Sequence, residues 1–373
     1  MIFLDNAGTT KMFEECLKTY GYYACEKFYN PSAISRESAF VHGELEKVKK
    51  LILKKLGAYK GTIIFTGGAT ESNNLAIKGS VRNGDYTYIF TNGEHPSVYN
   101  VAKSLMNDGR KVELIKLDAN GQADLKDLEE KLSPKVRLIS CMLVSNETGA
   151  MNDIKKISAL RDKLAPNALL HVDAVQGFMK IPFNVTELGI DLLSFSAHKF
   201  HGPKGVGGLY VKNLSSIKNI VEGGGQEYGI RSGTENVPGI MAMATAIEKI
   251  DIKKNFTRVK ELCEKLNNIL SKEEGIIIHN YNGSPYIESV TFKGVKGETM
   301  LHALEEKGVI VGLGSACSAK KAGNRVLKEI GFADEEIISS CRISFNAYMT
   351  GEEIETAGRI IVETYQEMKK RVS

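Results

Sequence analysis

A β-rich run, TIIFT (62–66), leads into Gly67-Gly68-Ala69-Thr70-Glu71-Ser72 and then a helical pattern. Free backbone N–H groups at a helix N-terminus attract an anion, small residues let a phosphate approach, and Thr70 and Ser72 offer hydroxyls. An ordinary strand-to-helix turn with a Thr or Ser cap explains that segment, taken alone, equally well. Further on, ALLHVDAVQG sets Asp173 and Gln176 just past the carboxyl end of an apolar strand, where open α/β sheets bind ligands. An Asp there can hold a cationic ring nitrogen and a Gln can donate to an oxygen, although an Asp in that place also serves as a helix cap. Next comes SFSAHKFHGPKGVGGLY, with Lys199 at a strand end among Ser196, His198, His201 and Gly202. A partly buried amine is nucleophilic toward an aldehyde, whereas a lone Lys is nearly always a solvated charge. Taken in order, the anion loop, the Asp and the Lys make a set that holds pyridoxal phosphate at three points.

Other groups suit a substrate. GLGSACSAKKAG places Cys317 in a small-residue loop, a setting that exposes a thiol and lets it move. Cys16, Cys25, Cys141, Cys263 and Cys341 stand in apolar or helical contexts and read as inert packing. CRISF puts Arg342 in a β-like segment, where its guanidinium fork can grip a carboxylate. GEHPSV brings His95 to the same edge of the sheet as Asp173, able to stack on a planar cofactor or to shuttle a proton. His42, His171, His279 and His302 read as surface or packing residues. HKFH (198–201) has no matching partners for zinc. No GxxxxGK[ST] occurs, and the glycines at 312 and 314 do not complete a dinucleotide fingerprint.

The elements that must carry these groups alternate. After TIIFT come YTYIFT (86–91), KVELIKL (111–117), VRLISCMLV (136–144), ALLHV (168–172), DLLSFS (191–196) and VGGLYV (206–211), most of them separated by helix-length segments. Such alternation predicts an α/β fold, a mainly parallel central sheet with helices on both faces. An amphipathic helix precedes it, from Glu37 to Leu56, ending at Gly57. After it, Ala242 to Leu270 reads as one long helix. The remainder, with strands near 275–279, 287–292 and 341–345 and helices near 298–306, 322–330 and 352–369, reads as a smaller α+β C-terminal domain, with the boundary near Asn236 to Gly239. The 373 residues allow two to three domains at roughly 150 each. The formal charge of +4 is spread along the chain, which disfavours nucleic acid as a partner. Apolar runs stop short of a membrane span, and with no secretory signal or paired cysteines the expectation is a cytoplasmic protein with reduced thiols.

Nearly end to end, the chain resembles the NifS/IscS-like cysteine desulfurases, class V aminotransferases of pyridoxal phosphate fold type I. The motifs that carry the resemblance are FLDNAGTT, NPSA, GGATESNNLAIKG, EHPSV, SNETGAMNDI, HVDAVQG, SAHKFHGPKGVG, GGGQEYGIRSGTENV, GSACS and RIS. It implies a large domain over 12–236 and a small one built from 1–11 and 237–373. It further implies Lys199 as the Schiff-base lysine, Asp173 at the pyridinium nitrogen, Gln176 at the ring hydroxyl and His95 stacked on the ring. Ala69, Thr70, Ser196 and His198 match phosphate-binding positions, and Thr234 matches one that the neighbouring subunit of a homodimer supplies. Asn146 and Arg342 match the substrate-carboxylate site, and Cys317 matches the cysteine that takes sulfur from L-cysteine as a persulfide, leaving L-alanine. His95 is the expected proton acceptor for that thiol. The implied partner is a sulfur-acceptor protein, for iron–sulfur cluster assembly or tRNA thiolation. Alternatives are a selenocysteine lyase, another class V aminotransferase or lyase, and a non-catalytic scaffold. Gly8, Ser35 and Tyr228 depart from the family pattern, and the loop after Cys317 is short and made basic by Lys320, Lys321 and Arg325.

Overall fold

A computed structural model describes residues 1–279, 281, 283–313 and 325–372 of the chain. Its first part runs β1 (Ile2–Phe3), α1 (Glu14–Cys25), α2 (Arg36–Leu56), β2 (Thr62–Thr66), α3 (Ala69–Ser80), β3 (Thr87–Thr91), α4 (Pro96–Asn107) and β4 (Lys111–Ile115). It continues through α5 (Leu125–Lys131), β5 (Val136–Ser140), α6 (Ile154–Leu164), β6 (Leu169–Asp173), β7 (Leu192–Ser196), β8 (Gly207–Val211) and α7 (Val237–Lys249). The central sheet has seven strands in the order β2-β8-β7-β6-β5-β3-β4. β8 runs antiparallel to both neighbours, and the other pairings are parallel.

Neighbouring residues of one strand enter opposite cores, as side chains alternate across a pleated sheet. Ile63, Ile89 and Leu193 pack with the apolar face of α2, whereas Ile64, Phe90 and Leu192 pack with Leu75 of α3 and Val98 of α4. Covered faces explain why β3, β7 and β8 are buried along their whole length. Ser35, one of the departures from the family pattern, caps α2 by accepting from the Ser38 N–H, and Gly57 ends that helix at a φ of 65°. A second close approach needs glycine: a Cβ on Gly207 of β8 would lie 2.9 Å from Gly68 Cα, at the start of α3.

The rest comprises α8 (Ile252–Leu270), β9 (Ile276–His279), β10 (Ile287–Phe292), α9 (Gly297–Glu306), β11 (Val309–Ile310), α10 (Arg325–Glu329), α11 (Asp334–Ile338), β12 (Ser340–Ser344) and α12 (Gly351–Val372). An antiparallel sheet β12-β10-β9 and the parallel pair β1-β11 close a second core that contains Leu4 and Ala7. Two expectations change. The single helix expected over Ala242 to Leu270 is two, because Ile250 turns extended (ψ 120°) and Asp251 caps α8 through the Lys254 N–H. The apolar residues of α7, Ile240, Met243 and Ile247 among them, belong to the core of the central sheet, so the packing changes hands between Ile250 and Val259, a helix later than the expected boundary. Among the described residues, no helix is long and apolar enough to cross a membrane.

Candidate active site

At the carboxyl ends of β5, β6 and β7 lies a cavity of about 860 Å³. Its wall includes Ala69, Thr70, His95, Asn146, Asp173, Gln176, Ser196, His198, Lys199 and Arg342, ten of the twelve residues expected for the site. Thr234 is exposed in the stretch before α7 and lines no part of this chain's own cavity. Cys317 lies outside the described residues. Of the cysteines expected to be inert, Cys16, Cys141, Cys263 and Cys341 are buried, but Cys25, the last residue of α1, is exposed.

β7 ends at Ser196 and a single 3-10 turn, Ala197–Lys199, swings Lys199 inward. Its amine donates to the carbonyls of Ala7 and Gly8, both at 2.7 Å. Those carbonyls belong to the segment that follows β1, so the strap that completes the second core also holds the lysine of the first. His198 sits beneath it, its Nδ1 3.1 Å from the Thr9 hydroxyl, and burial pushes its imidazole down to about 4.

Asp173 closes β6. One carboxylate oxygen accepts from the Val175 N–H at 3.0 Å and the other from the Asn73 amide at 2.8 Å. The same Asn73 amide donates to the Ser97 hydroxyl at 2.9 Å, which lies 2.8 Å from His95 Nδ1. A relay therefore joins Asp173 to His95 through Asn73 and Ser97, two residues the sequence did not single out. His95 is itself the cap of α4: its Nδ1 accepts the Ser97 backbone N–H at 3.1 Å. The proton of the neutral ring is thereby on Nε2, and burial, the largest influence, holds the imidazole below its ordinary value.

The β3–α4 connection that carries His95 is braced by Glu94. One oxygen of this buried carboxyl accepts from the Thr91 hydroxyl at 2.6 Å and the Met142 N–H at 2.9 Å, while the other has no partner. Burial pushes Glu94 up to about 8. Arg325, expected to add charge to a basic loop, is spent on this same connection. It donates to the Glu94 carbonyl at 2.6 Å and to Asn92 at 3.2 Å, and stacks 3.8 Å above the Tyr99 ring.

Arg342, on β12, brings the second core to the cavity. It donates to Asp5 at 2.6 Å and to the Asn146 carbonyl at 2.8 Å, and its Nε is buried without a partner. Glu147, beside it, is a buried carboxyl that burial pushes up to about 7. The departure at Gly8 bears on this pair, since a Cβ there would lie 2.4 Å from the Asp5 carboxylate. Ser72, expected to offer its hydroxyl to an anion, is fully buried and bonded to the Thr66 hydroxyl at 2.8 Å, so it ties β2 to α3 instead. Tyr228, where the family pattern favours Arg, has the Lys49 amine 4.4 Å over its ring.

Known proteins share both sequence and architecture with this chain. A "NifS/IcsS protein homolog" of Lactobacillus delbrueckii subsp. bulgaricus is 37% identical over 99% of this chain and 98% of its own length. "Cysteine desulfurase IscS" of Buchnera aphidicola subsp. Baizongia pistaciae is 37% identical, covering 99% of this chain and 93% of its own length. Among solved structures, a "NIFS-LIKE PROTEIN" superposes with a TM-score of 0.91 at 32% identity, over 98% of this chain and 99% of that one. "SspA in complex with cysteine" reaches a TM-score of 0.83 at 29% identity, over 94% of this chain and all of that one (100%). Residues 2–356 match the family model described as Aminotransferase class-V, a span that holds every site residue located above; the chain belongs to the class-V aminotransferase family.

Proposed function

We propose that this chain is a pyridoxal phosphate-dependent cysteine desulfurase, which converts L-cysteine to L-alanine and keeps the sulfur as a persulfide on Cys317. The observation that carries the reading is one cavity lined by an enclosed lysine, an Asp tied by a relay to a His, and an Arg from the second core. The sequence adds the loop thiol of Cys317.

The residues present suit the cofactor. The cavity is of a size that takes a small molecule. At its floor Gly68, with a φ of 148°, opens α3 beside Ser196: a Cβ there would reach to 3.6 Å from the Ser196 hydroxyl, space that a phosphate can use. Ala69, Thr70, Ser196 and His198 would hold the phosphate, Asp173 the ring nitrogen, Gln176 the ring hydroxyl and His95 a ring face. Bound pyridoxal phosphate supplies an electron sink for the pair left at Cα when its proton departs. Lys199 both anchors the cofactor and moves that proton. Arg342 and Asn146 fix the substrate carboxylate, which orients the Cα–H bond toward the amine. The Nε2 proton of His95 makes that ring a donor toward the cavity; it accepts the thiol proton in the other tautomer, in which the ring proton sits on Nδ1 and is donated to the Ser97 hydroxyl 2.8 Å away. Cys317 as thiolate attacks the substrate sulfur; the S–S bond forms as the S–Cβ bond breaks, and protonation of the remaining three-carbon unit gives alanine.

The same reading assigns Thr234 to the neighbouring subunit's cavity in a homodimer. It gives the persulfide to an acceptor protein of iron–sulfur cluster assembly or tRNA thiolation in the cytoplasm. The decisive experiment is alanine formation from L-cysteine, with a thiol reductant, by the parent, Lys199→Ala and Cys317→Ala proteins. Alanine from the parent alone supports desulfuration through Cys317. Activity that survives in Cys317→Ala points to a selenocysteine lyase-type reaction, and a cofactor-loaded parent inactive on cysteine overturns the reading.

A further inference from the structure

Behind the cavity stands a second lysine that the reaction above does not use. Lys180 is 5% exposed, and its amine donates to Gln176 Oε1 at 2.7 Å. It is turned inward by an unusual piece of backbone. Met179 takes a left-handed φ of 62°, and the N–H groups of Lys180 and Ile181 both close on the Gly177 carbonyl at 3.0 Å. A strained, buried residue persists only where its surroundings hold it, and what Lys180 reaches is a residue of the cavity wall. Gln176 in turn donates through Nε2 to the Ala7 carbonyl at 2.9 Å, the same oxygen that accepts from Lys199 at 2.7 Å. Lys180 and Lys199 also face a common pocket of about 20 Å³, closed by Tyr286 and Tyr348.

An amide side chain has two ends of similar shape and opposite hydrogen-bonding sense. With an N–H donor fixed at Oε1, the NH2 end must turn to Ala7 and to the cavity. We propose that Lys180 is a positioning residue that locks the Gln176 amide in this one orientation, so that Gln176 presents a donor to the cofactor and Ala7 keeps a single ordered carbonyl for Lys199. The lock works in either charge state, since a neutral and a protonated amine both donate N–H. Burial, aided by the charged groups that act on it, Lys199 and Arg342, pushes it down to about 7. Without Lys180 the amide is free to flip, which sets oxygen against the Ala7 carbonyl or toward the ring hydroxyl.

The inference rests on the proposed use of pyridoxal phosphate, and its test reads cofactor binding, not turnover. The dissociation constant of pyridoxal phosphate, followed by the visible absorbance of the bound cofactor, is measured for the parent, Lys180→Met, Gln176→Ala and the double variant. Each single change is expected to weaken binding by about fivefold to tenfold, and the double variant to be no weaker than Gln176→Ala alone. Equal weakening by Lys180→Met in both backgrounds means that it acts by packing or charge and overturns the proposal, as does Lys180→Met binding like the parent. If Lys180→Met does not fold, Gln176→Glu decides. Its carboxylate satisfies Lys180 but offers no N–H, so it must lose as much affinity as Gln176→Ala, and parent-like binding overturns the lock. A parent that takes up no pyridoxal phosphate overturns the functional reading as well, an outcome distinct from all of these.

Discussion

His95 serves two purposes, and the first constrains the second. Because its Nδ1 caps α4, the ring meets the cavity through Nε2, and the relay through Ser97 and Asn73 sets the ring's attitude toward Asp173. Asn73→Ala cuts the relay without touching either end. The expected result is a fall in kcat for alanine formation of up to about 100-fold with a smaller change in KM, because the loss is one of alignment. Arg342→Lys tests the carboxylate fork. An ammonium cannot reproduce two parallel N–H donors, so KM for L-cysteine should rise by about 10- to 100-fold while the cofactor still binds. Residues of this kind divide by how they are read. Lys199, Asp173 and His95 are legible because each stands at or just past the carboxyl end of a strand, and those ends converge at one edge of the sheet. Asn73 lies 100 positions from Asp173 and inside a helix, where a buried polar side chain has no signature in spacing.

The β3–α4 connection shows what an element must do to keep such residues in place. Glu94 holds the connection to Met142 beyond β5 and, raised to about 8 by burial, is uncharged at neutral pH. An amide replaces an uncharged carboxyl, so Glu94→Gln should keep activity near the parent's. Glu94→Ala leaves the Met142 N–H unpaired, at a cost of about 1–3 kcal/mol in stability, read from urea midpoints. The pH dependence follows with a definite sign. A carboxyl raised in the folded state binds its proton more tightly there, so its contribution is complete below the ordinary carboxylate range near 4.5 and is lost as pH climbs toward about 8. Across that window Glu94→Gln should gain stability relative to the parent, and a constant difference would refute the assignment. Elements were legible where period and punctuation agree, as in the strand-helix alternation of 62–211. The break at Ile250 and the allegiance of α7 were not. Neither residue 250 nor 251 is Gly or Pro, and an apolar helix does not state which of two cores it enters.

At the scale of the molecule, two cores share one site, and the strap from Leu4 to Thr10 joins them. Leu4 is fully buried in the second core, Asp5 pairs with Arg342, and the Ala7 and Gly8 carbonyls hold Lys199. Leu4→Ala should therefore cost about 2–5 kcal/mol by denaturant unfolding and should also lower cofactor occupancy, although Leu4 does not line the cavity. This strap has a further consequence, in time rather than in space. Ile2 pairs with Val309 and Phe3 with Ile310, so during synthesis the strap finds its strand partner only after some three hundred more residues have been joined. At about 5–20 residues per second, that wait lasts roughly 15 to 60 s. In its last part the central sheet already has all its strands, through Val211, while the strap that carries the Ala7 and Gly8 carbonyls still lacks β11; Lys199 is thus held by a segment whose own strand pairing forms only after the sheet that bears the lysine is complete.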